Sequence, residues 1–120
     1  MLEEAYSCGV SRVVIALGYT DLRLGIDGLA RIVKRQFDLN PFEPGVLFLF
    51  CGRRADRIKG LLWEGTGFLL LYKRLEDGAF NWPRTEKEAR ELSQDEFRLL
   101  MQGDYPLRPL IHKVYPQDVS

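Results

Sequence analysis

Two seven-residue runs on either side of a glycine-rich turn constrain the fold of this chain more than any other feature. Residues 57–63 and 68–74 are rich in leucine and aromatic residues, and Glu64-Gly65-Thr66-Gly67 separates them. A short turn containing glycine between two such runs predicts an antiparallel β-hairpin.

The register of this hairpin decides which side chains share a face. If Gly65 and Thr66 form a two-residue turn, the facing pairs are Arg57 with Arg74, Lys59 with Tyr72, Leu61 with Leu70, and Trp63 with Phe68. Because side chains alternate along a strand, all eight lie on one face, which has a basic end and an aromatic end. The opposite face is expected to pack on helices through Ile58, Leu62, Leu69 and Leu71.

The remaining apolar runs predict three more strands. Residues 13–17 are rich in β-branched residues, and residues 46–50 form a continuous apolar run typical of a strand buried on both faces. Residues 79–82 follow the hairpin signal Asp77-Gly78. The last four predicted strands, with short turns between them, would form an antiparallel meander.

Two helices complete the predicted fold. The first is expected to start at the cap-type residues Thr20-Asp21 and to end before Asn40-Pro41, because apolar residues recur at helical spacing between them. The second begins with a capping box, Ser93 to Glu96, flanked by a hydrophobic staple of Leu92 and Phe97. The sequence therefore predicts an α+β fold of about five strands, with a single domain over residues 1–103 and an extended tail over residues 104–120.

Composition and motifs exclude several classes of protein. No apolar run approaches the ~18 residues of a membrane-spanning helix, and the N-terminal Met-Leu-Glu-Glu differs from the basic start of a secretory signal. The two cysteines, Cys8 and Cys51, lack metal-ligand spacing and suit a reducing compartment. We expect a cytoplasmic protein without a membrane segment or a structural metal.

No group of residues in the sequence forms a recognisable catalytic site. The single histidine, His112, lies in the predicted tail. The candidates for a two-metal nuclease site are Asp21, Asp27, Asp56 and Glu64. Asp56 lies between Arg54 and Arg57, however, so a local ion pair explains it. We predict a protein that is not an enzyme and has no catalytic residue, metal or cofactor.

Positive charge is concentrated in one segment of a neutral chain. Residues 51–74 hold six Lys or Arg against two Asp or Glu, a balance of +4, although the chain has 17 of each sign. Cations at strand spacing neutralise phosphates, and exposed aromatic rings stack on bases, so the segment is typical of a nucleic-acid-binding surface. A solvated edge that prevents aggregation between strands has the same composition. The residues alone leave both interpretations open.

Several short motifs resemble, in their order and spacing, one known family. They are TDLR (20–23), GIDGLA (25–30), NPF (40–42), RRADRIKGLLWEGTGFLLLYKRLEDGAFNWP (53–83) and LLMQG (99–103). The resemblance is to the TnpB, or Orf2-like, accessory proteins of IS66-type bacterial insertion sequences, which are unrelated to the RNA-guided nuclease that shares the name. It spans roughly residues 12–103.

The resemblance implies an accessory role in DNA transposition, encoded beside a larger transposase of the same mobile element. The expected partners are DNA at the element ends, the transposase, or both. The candidate binding residues are Arg23, Arg53, Arg54, Arg57, Lys59, Trp63, Tyr72, Lys73 and Arg74. The alternative is a protein adaptor that docks the transposase without contacting DNA, because Arg and aromatic residues are also enriched at protein interfaces.

Overall fold

The structure is a computed structural model that describes residues 9–83 and 89–101. Its elements in chain order are β1 (Arg12–Ala16), α1 (Ile26–Arg31), a π-helical continuation of α1 (Ile32–Gln36), β2 (Val46–Cys51), β3 (Arg57–Trp63), β4 (Phe68–Arg74), β5 (Ala89–Leu92) and α2 (Gln94–Met101). The predicted tail, Cys8 and His112 lie outside the described residues, and the single domain over residues 1–103 stays a prediction.

The five strands form one mixed sheet in the order β4-β3-β2-β1-β5. β1 and β2 are parallel, and the chain between them passes through α1. All other neighbouring strands are antiparallel. With one helix in the N-terminal half and one at the C-terminal end of the described chain, this is the α+β fold that the sequence predicts.

The antiparallel meander is one strand shorter than predicted. β2, β3 and β4 are consecutive antiparallel neighbours, but residues 79–82 form no strand. The Phe80 amide donates to the Ala55 carbonyl at 2.7 Å, and the Trp82 indole donates to the Ala16 carbonyl at 2.8 Å. The apolar residues that suggested a strand therefore anchor a connecting segment in the core, where both aromatic rings are buried.

The fifth strand lies where the sequence carries little signal for one. β5 pairs antiparallel with β1, with Leu92 opposite Val13 and Ala89 opposite Ala16. Its sequence, Ala-Arg-Glu-Leu, contains a single large apolar residue. Apolar alternation could not identify such a short segment, and only pairing with a strand distant in the sequence defines it.

The first helix begins later than the sequence predicts. Gly25 occupies the N-cap position without a side-chain cap, and the helix starts at Ile26. Asp21 does not cap it, because its carboxylate accepts hydrogen bonds from the backbone and guanidinium of Arg23. The predicted end before Asn40 is confirmed, since the π-helical continuation ends at Gln36.

Each helix covers one face of the sheet. Leu29 and Val33 of the first helix pack with Val14, Phe48 and Phe50 on one face. The opposite face packs against the second helix, in a core that includes Val13, Ile15, Leu47, Leu49, Phe97 and Leu100. Because both faces are covered, β2 is buried at every position, as predicted for its continuous apolar run.

The second helix begins at the predicted capping box. The Ser93 amide donates to a Glu96 carboxylate oxygen at 2.8 Å, and the Glu96 amide donates to the Ser93 hydroxyl at 3.1 Å. Leu92 and Phe97, the predicted staple residues, are both buried in the same core cluster. This reciprocal arrangement satisfies two backbone donors that the first turn of a helix leaves unpaired.

Candidate nucleic-acid or partner interface

The β3–β4 hairpin has the register that the sequence predicts. Arg57 lies opposite Arg74, Lys59 opposite Tyr72, and Trp63 opposite Phe68. The Glu64 amide closes the turn on the Gly67 carbonyl at 2.9 Å, and Gly65 has a φ of 93° that favours glycine. The basic and aromatic residues of these facing pairs therefore share the sheet face that α1 partly covers.

A groove of about 750 Å³ opens beside the basic end of this hairpin. β1 and β2 are parallel, so their carboxyl ends reach the same edge of the sheet. The loops that follow them lie side by side, tied by the Thr20 amide, which donates to the Cys51 carbonyl at 2.8 Å. The groove forms between these two loops and the adjoining part of the hairpin. Its lining residues are Tyr19, Thr20, Asp21, Leu22, Arg23, Gly52, Arg53, Arg54, Arg57, Lys59 and Tyr72.

The groove brings together most of the predicted binding residues. Six of the nine line it: Arg23, Arg53, Arg54, Arg57, Lys59 and Tyr72. Five of its lining residues are cationic and one, Asp21, is anionic, so the lining has a formal charge of five minus one, or +4. Arg74 lies next to the groove, directly opposite Arg57 across the strand pair.

At one side of the groove, Asp21 holds Arg23 in a two-pronged ion pair. A guanidinium nitrogen of Arg23 lies 2.9 Å from a carboxylate oxygen of Asp21. Hydrogen bonds from the side chain and then from the backbone of Arg23 lower the pKa of Asp21 to about 2. The pair is therefore charged at neutral pH, and Arg23 extends into solvent with 91% of its side chain exposed.

Asp56 orients two of the arginines of the groove. Its carboxylate lies 3.2 Å from the Arg57 guanidinium and 3.4 Å from that of Arg54. This is the local ion pair that the sequence suggested for Asp56. Within residues 9–83 and 89–101, no three His, Cys, Asp or Glu side chains lie close enough together to hold a metal ion.

Lys59 has a structural contact as well as a place in the groove. Its ammonium group donates a hydrogen bond to the Leu24 carbonyl at 3.0 Å, which ties β3 to the segment that leads into α1. Arg57 and Lys59 therefore share one face with Arg74, as predicted, but their exposure differs. Arg74 is exposed, whereas Arg57 and Lys59 are half-buried.

Two of the predicted residues lie away from the groove. Lys73 projects from the opposite face of β4, where its ammonium donates to the carbonyl of Met101 at 3.1 Å. Met101 is the last residue of α2, and a cation there interacts favourably with the helix dipole. Trp63 lies at the turn end of the hairpin, where its ring meets those of Phe68 and Phe42, each at 5.0 Å.

Tyr19 lines the groove but is absent from the sequence-based set. The Arg53 guanidinium carbon lies 4.3 Å from the centre of the Tyr19 ring, and a guanidinium nitrogen donates to the Tyr19 hydroxyl at 2.7 Å. Tyr19 could have been identified as a groove residue only from the parallel pairing of β1 with β2. Without that pairing, nothing in the sequence places the residue after Gly18 beside Arg53.

The family comparison agrees with the motifs that the hairpin and the groove loops carry. The family model described as IS66 Orf2 like protein matches residues 11–109. The chain belongs to this IS66 Orf2-like family. Membership implies an accessory role in transposition and is consistent with a protein that performs no catalysis.

Two relatives come from Sinorhizobium fredii strain NBRC 101917 / NGR234. The "Uncharacterized protein y4hO" is 40% identical over 92 residues, which cover 77% of this chain and 79% of the relative. The "Uncharacterized protein y4jC" is 35% identical over 92 residues, which cover 77% of this chain and 78% of the relative. No solved structure matches the chain. None of the described helices is long and apolar enough to cross a membrane.

Proposed function

We propose that this protein is a non-catalytic accessory factor of IS66-type transposition that binds DNA of the element ends through the basic groove. The observation that carries the proposal is the convergence of five cations from three separate segments on one open groove. An isolated cationic strand edge is common on protein surfaces, whereas cations gathered from separate loops form a concave positive site. Such a site attracts a polyanion and releases its bound counterions.

The ion pairs inside the groove are compatible with phosphate binding. Arginine has five N–H donors, and the contacts of Arg54 and Arg57 with Asp56 use only part of this capacity. A carboxylate that fixes a guanidinium also reduces the conformational freedom that the arginine would lose on binding. With Asp56 counted beside Asp21, the charge is five minus two, or +3, so the two carboxylates orient the cations and leave the groove positive.

A second candidate function, docking on the transposase, is favoured by a different surface. Phe42 is 51% exposed and its ring contacts Trp63 and Phe68, so an aromatic cluster reaches the surface at the turn end of the hairpin. Leu39, in the same connection between α1 and β2, is 37% exposed. Exposed aromatic residues of this kind are typical of protein interfaces.

The test is a binding measurement on the purified protein by fluorescence anisotropy, at about 50 mM salt where phosphate contacts are strong. Labelled element-end DNA is offered both as a duplex and as separated strands. The variant combines Arg53→Gln, Arg54→Gln and Arg57→Gln, in which glutamine keeps a hydrogen-bond donor for Asp56. The matched control combines Arg31→Gln, Lys34→Gln and Arg35→Gln, which removes the same charge from exposed positions outside the groove.

The proposal predicts that the wild type and the control bind, and that the groove variant binds much more weakly. No binding of either DNA form by the wild type, together with binding of the transposase that Phe42→Ala weakens and the groove variant retains, would favour the adaptor. Mg²⁺-dependent strand cleavage by the wild type that Asp56→Asn abolishes would contradict both.

A further inference from the structure

We infer that the groove takes nucleic acid in single-stranded form, with Tyr72 as the residue on which a base stacks. This inference rests on the proposed function, because it specifies the form of nucleic acid that the same site binds. It is carried by the position of one exposed aromatic ring among the cations of the groove.

Tyr72 is surrounded by positive charge on its own face of the hairpin. It lies directly opposite Lys59, and Arg57 and Arg74 form the next pair on the same face, two residues along each strand. Side chains two residues apart on a strand are separated by about 7 Å, so the guanidinium groups of Arg57 and Arg74 lie near enough to contact a phosphate beside a base on the ring. Arg74 also pairs with Glu76 at 3.0 Å, and the Lys59 ammonium is bonded to the Leu24 carbonyl. With 52% of its surface exposed, Tyr72 has an accessible ring.

The other aromatic residues of this face are used differently. Trp63 and Phe68 are half-buried and contact each other and Phe42 at 5.0–5.2 Å between ring centres, so much of these two rings is covered by protein. Phe42 is 51% exposed, but it lies outside the groove lining. Across the groove from the hairpin, Tyr19 is 42% exposed and supports Arg53. Among the described residues that line the groove, the aromatic ones are these two tyrosines, and Tyr72 is the more exposed.

A duplex and a single strand would use this arrangement to different extents. Both present phosphates to the cations, but the bases of a duplex are stacked on one another and offer no face to a protein ring. A single strand offers both its phosphates and the open faces of its bases. Proteins that bind single strands combine a cationic groove with aromatic side chains. The volume of about 750 Å³ also lies within the range of sites that take a small ligand, as a nucleotide is.

The experiment compares the affinity of the full chain for a labelled oligothymidine and for a duplex of equal length, at about 50 mM salt. We expect tighter binding of the single strand. Tyr72→Leu should weaken single-strand binding by about 5- to 100-fold, the range of one base–aromatic stack, while changing duplex binding little. Tyr72→Phe, which keeps the ring, should retain single-strand affinity.

The outcomes separate this inference from the proposed function. Equal or tighter binding of the duplex, or an unchanged single-strand affinity in Tyr72→Leu, would overturn the inference and leave phosphate binding intact. If neither the single strand nor the duplex binds, both the inference and the proposed DNA-binding function would be overturned. If Tyr72→Leu weakened the binding of both probes equally, and circular dichroism confirmed that the variant is folded, Tyr72 would not be a stacking residue. A cross-link from 5-iodouracil in the oligonucleotide to Tyr72 would support the inference independently of affinity.

Discussion

The two ends of the β3–β4 hairpin are built from the same strands and the same register, yet their surroundings differ. At the turn end, Trp63 and Phe68 meet the ring of Phe42, which comes from the connection between α1 and β2. At the open end, Arg57 and Tyr72 border a groove between the loops that follow β1 and β2. At the turn end, Phe42 packs against the two rings, whereas the open end borders a groove that is accessible to solvent.

Aromatic residues in a segment that also carries basic residues can therefore have different roles. Composition places aromatic residues at both the turn end and the open end, and tertiary contacts decide which of them are covered. Trp63 and Phe68, which are half-buried against each other and against Phe42, contribute mainly to folding, since much of their surface is already removed from water. A ring that lies open among cations contributes little to folding and is available to a ligand.

The largest effect on stability is expected at the closed end. Trp63→Ala should lower the free energy of unfolding by about 2–3 kcal/mol, below the ~3–5 kcal/mol of a fully buried tryptophan because this one is half-buried. Urea unfolding followed by circular dichroism measures the change. DNA affinity of the folded variant should stay close to that of the wild type. A loss of affinity without a loss of stability would place Trp63 in the binding surface instead.

An intermediate effect on stability is expected at Lys59, which lines the groove and donates a hydrogen bond to the Leu24 carbonyl. Lys59→Met should lower the free energy of unfolding by about 1 kcal/mol, because the half-buried carbonyl of Leu24 loses its donor. The matched substitution Arg57→Gln leaves that bond in place and should change stability less. Equal stability of the two variants would indicate that the Lys59 ammonium points to solvent.

Tyr72→Leu should change stability little. We expect a difference within about 0.5 kcal/mol of the wild type, since the side chain is largely exposed and leucine is tolerated in strands. The same urea titration that measures Trp63→Ala measures this variant. A destabilisation as large as that of Trp63→Ala would remove the distinction between the two ends.

The smallest effect concerns the pH dependence of the Asp21–Arg23 pair. The pKa of Asp21 is lowered from an ordinary 3.8 to about 2 in the folded protein, chiefly by the hydrogen bonds of Arg23. The folded state therefore binds this proton less readily, so the pair stabilises the fold above the unfolded pKa, and this contribution is lost as the pH falls through about 2. Carbon-13 NMR of the Asp21 carboxyl group should give a midpoint well below 3.8, and Arg23→Gln should return it towards that value. An unchanged midpoint in the variant would show that Arg23 is not the cause.

The hairpin could be predicted from the sequence because a two-residue turn fixes its register locally. The capping box of α2 is local in the same way, and it too is confirmed. The groove depends on contacts between distant segments. Its walls meet only because β1 and β2 are parallel neighbours, and no local pattern in the sequence indicates a partner for β1.

The same distinction accounts for the misplaced elements and site residues. Phe80 and Trp82 have the apolar character of a strand, but the carbonyls of Ala55 and Ala16 hold them as anchors of a connection. Lys73 is adjacent in sequence to Tyr72 and Arg74, but alternation places it on the opposite face, near the end of α2. Charge content identified the segment that supplies four of the five cations of the groove, and the sheet topology brings Arg23 beside them.

The salt dependence of DNA binding measures directly whether the cations of the groove contact phosphates. Affinity is measured across a salt series for the wild type, for the Arg53, Arg54 and Arg57 to glutamine variant, and for the Arg31, Lys34 and Arg35 control. Each lost phosphate contact should flatten the slope of log affinity against log salt by about 0.7 for single strands and about 0.9 for duplexes. We predict that the slope is flatter by about 2 to 3 units in the groove variant than in the wild type and is unchanged in the control. Equal slopes in the groove variant and the wild type would contradict it.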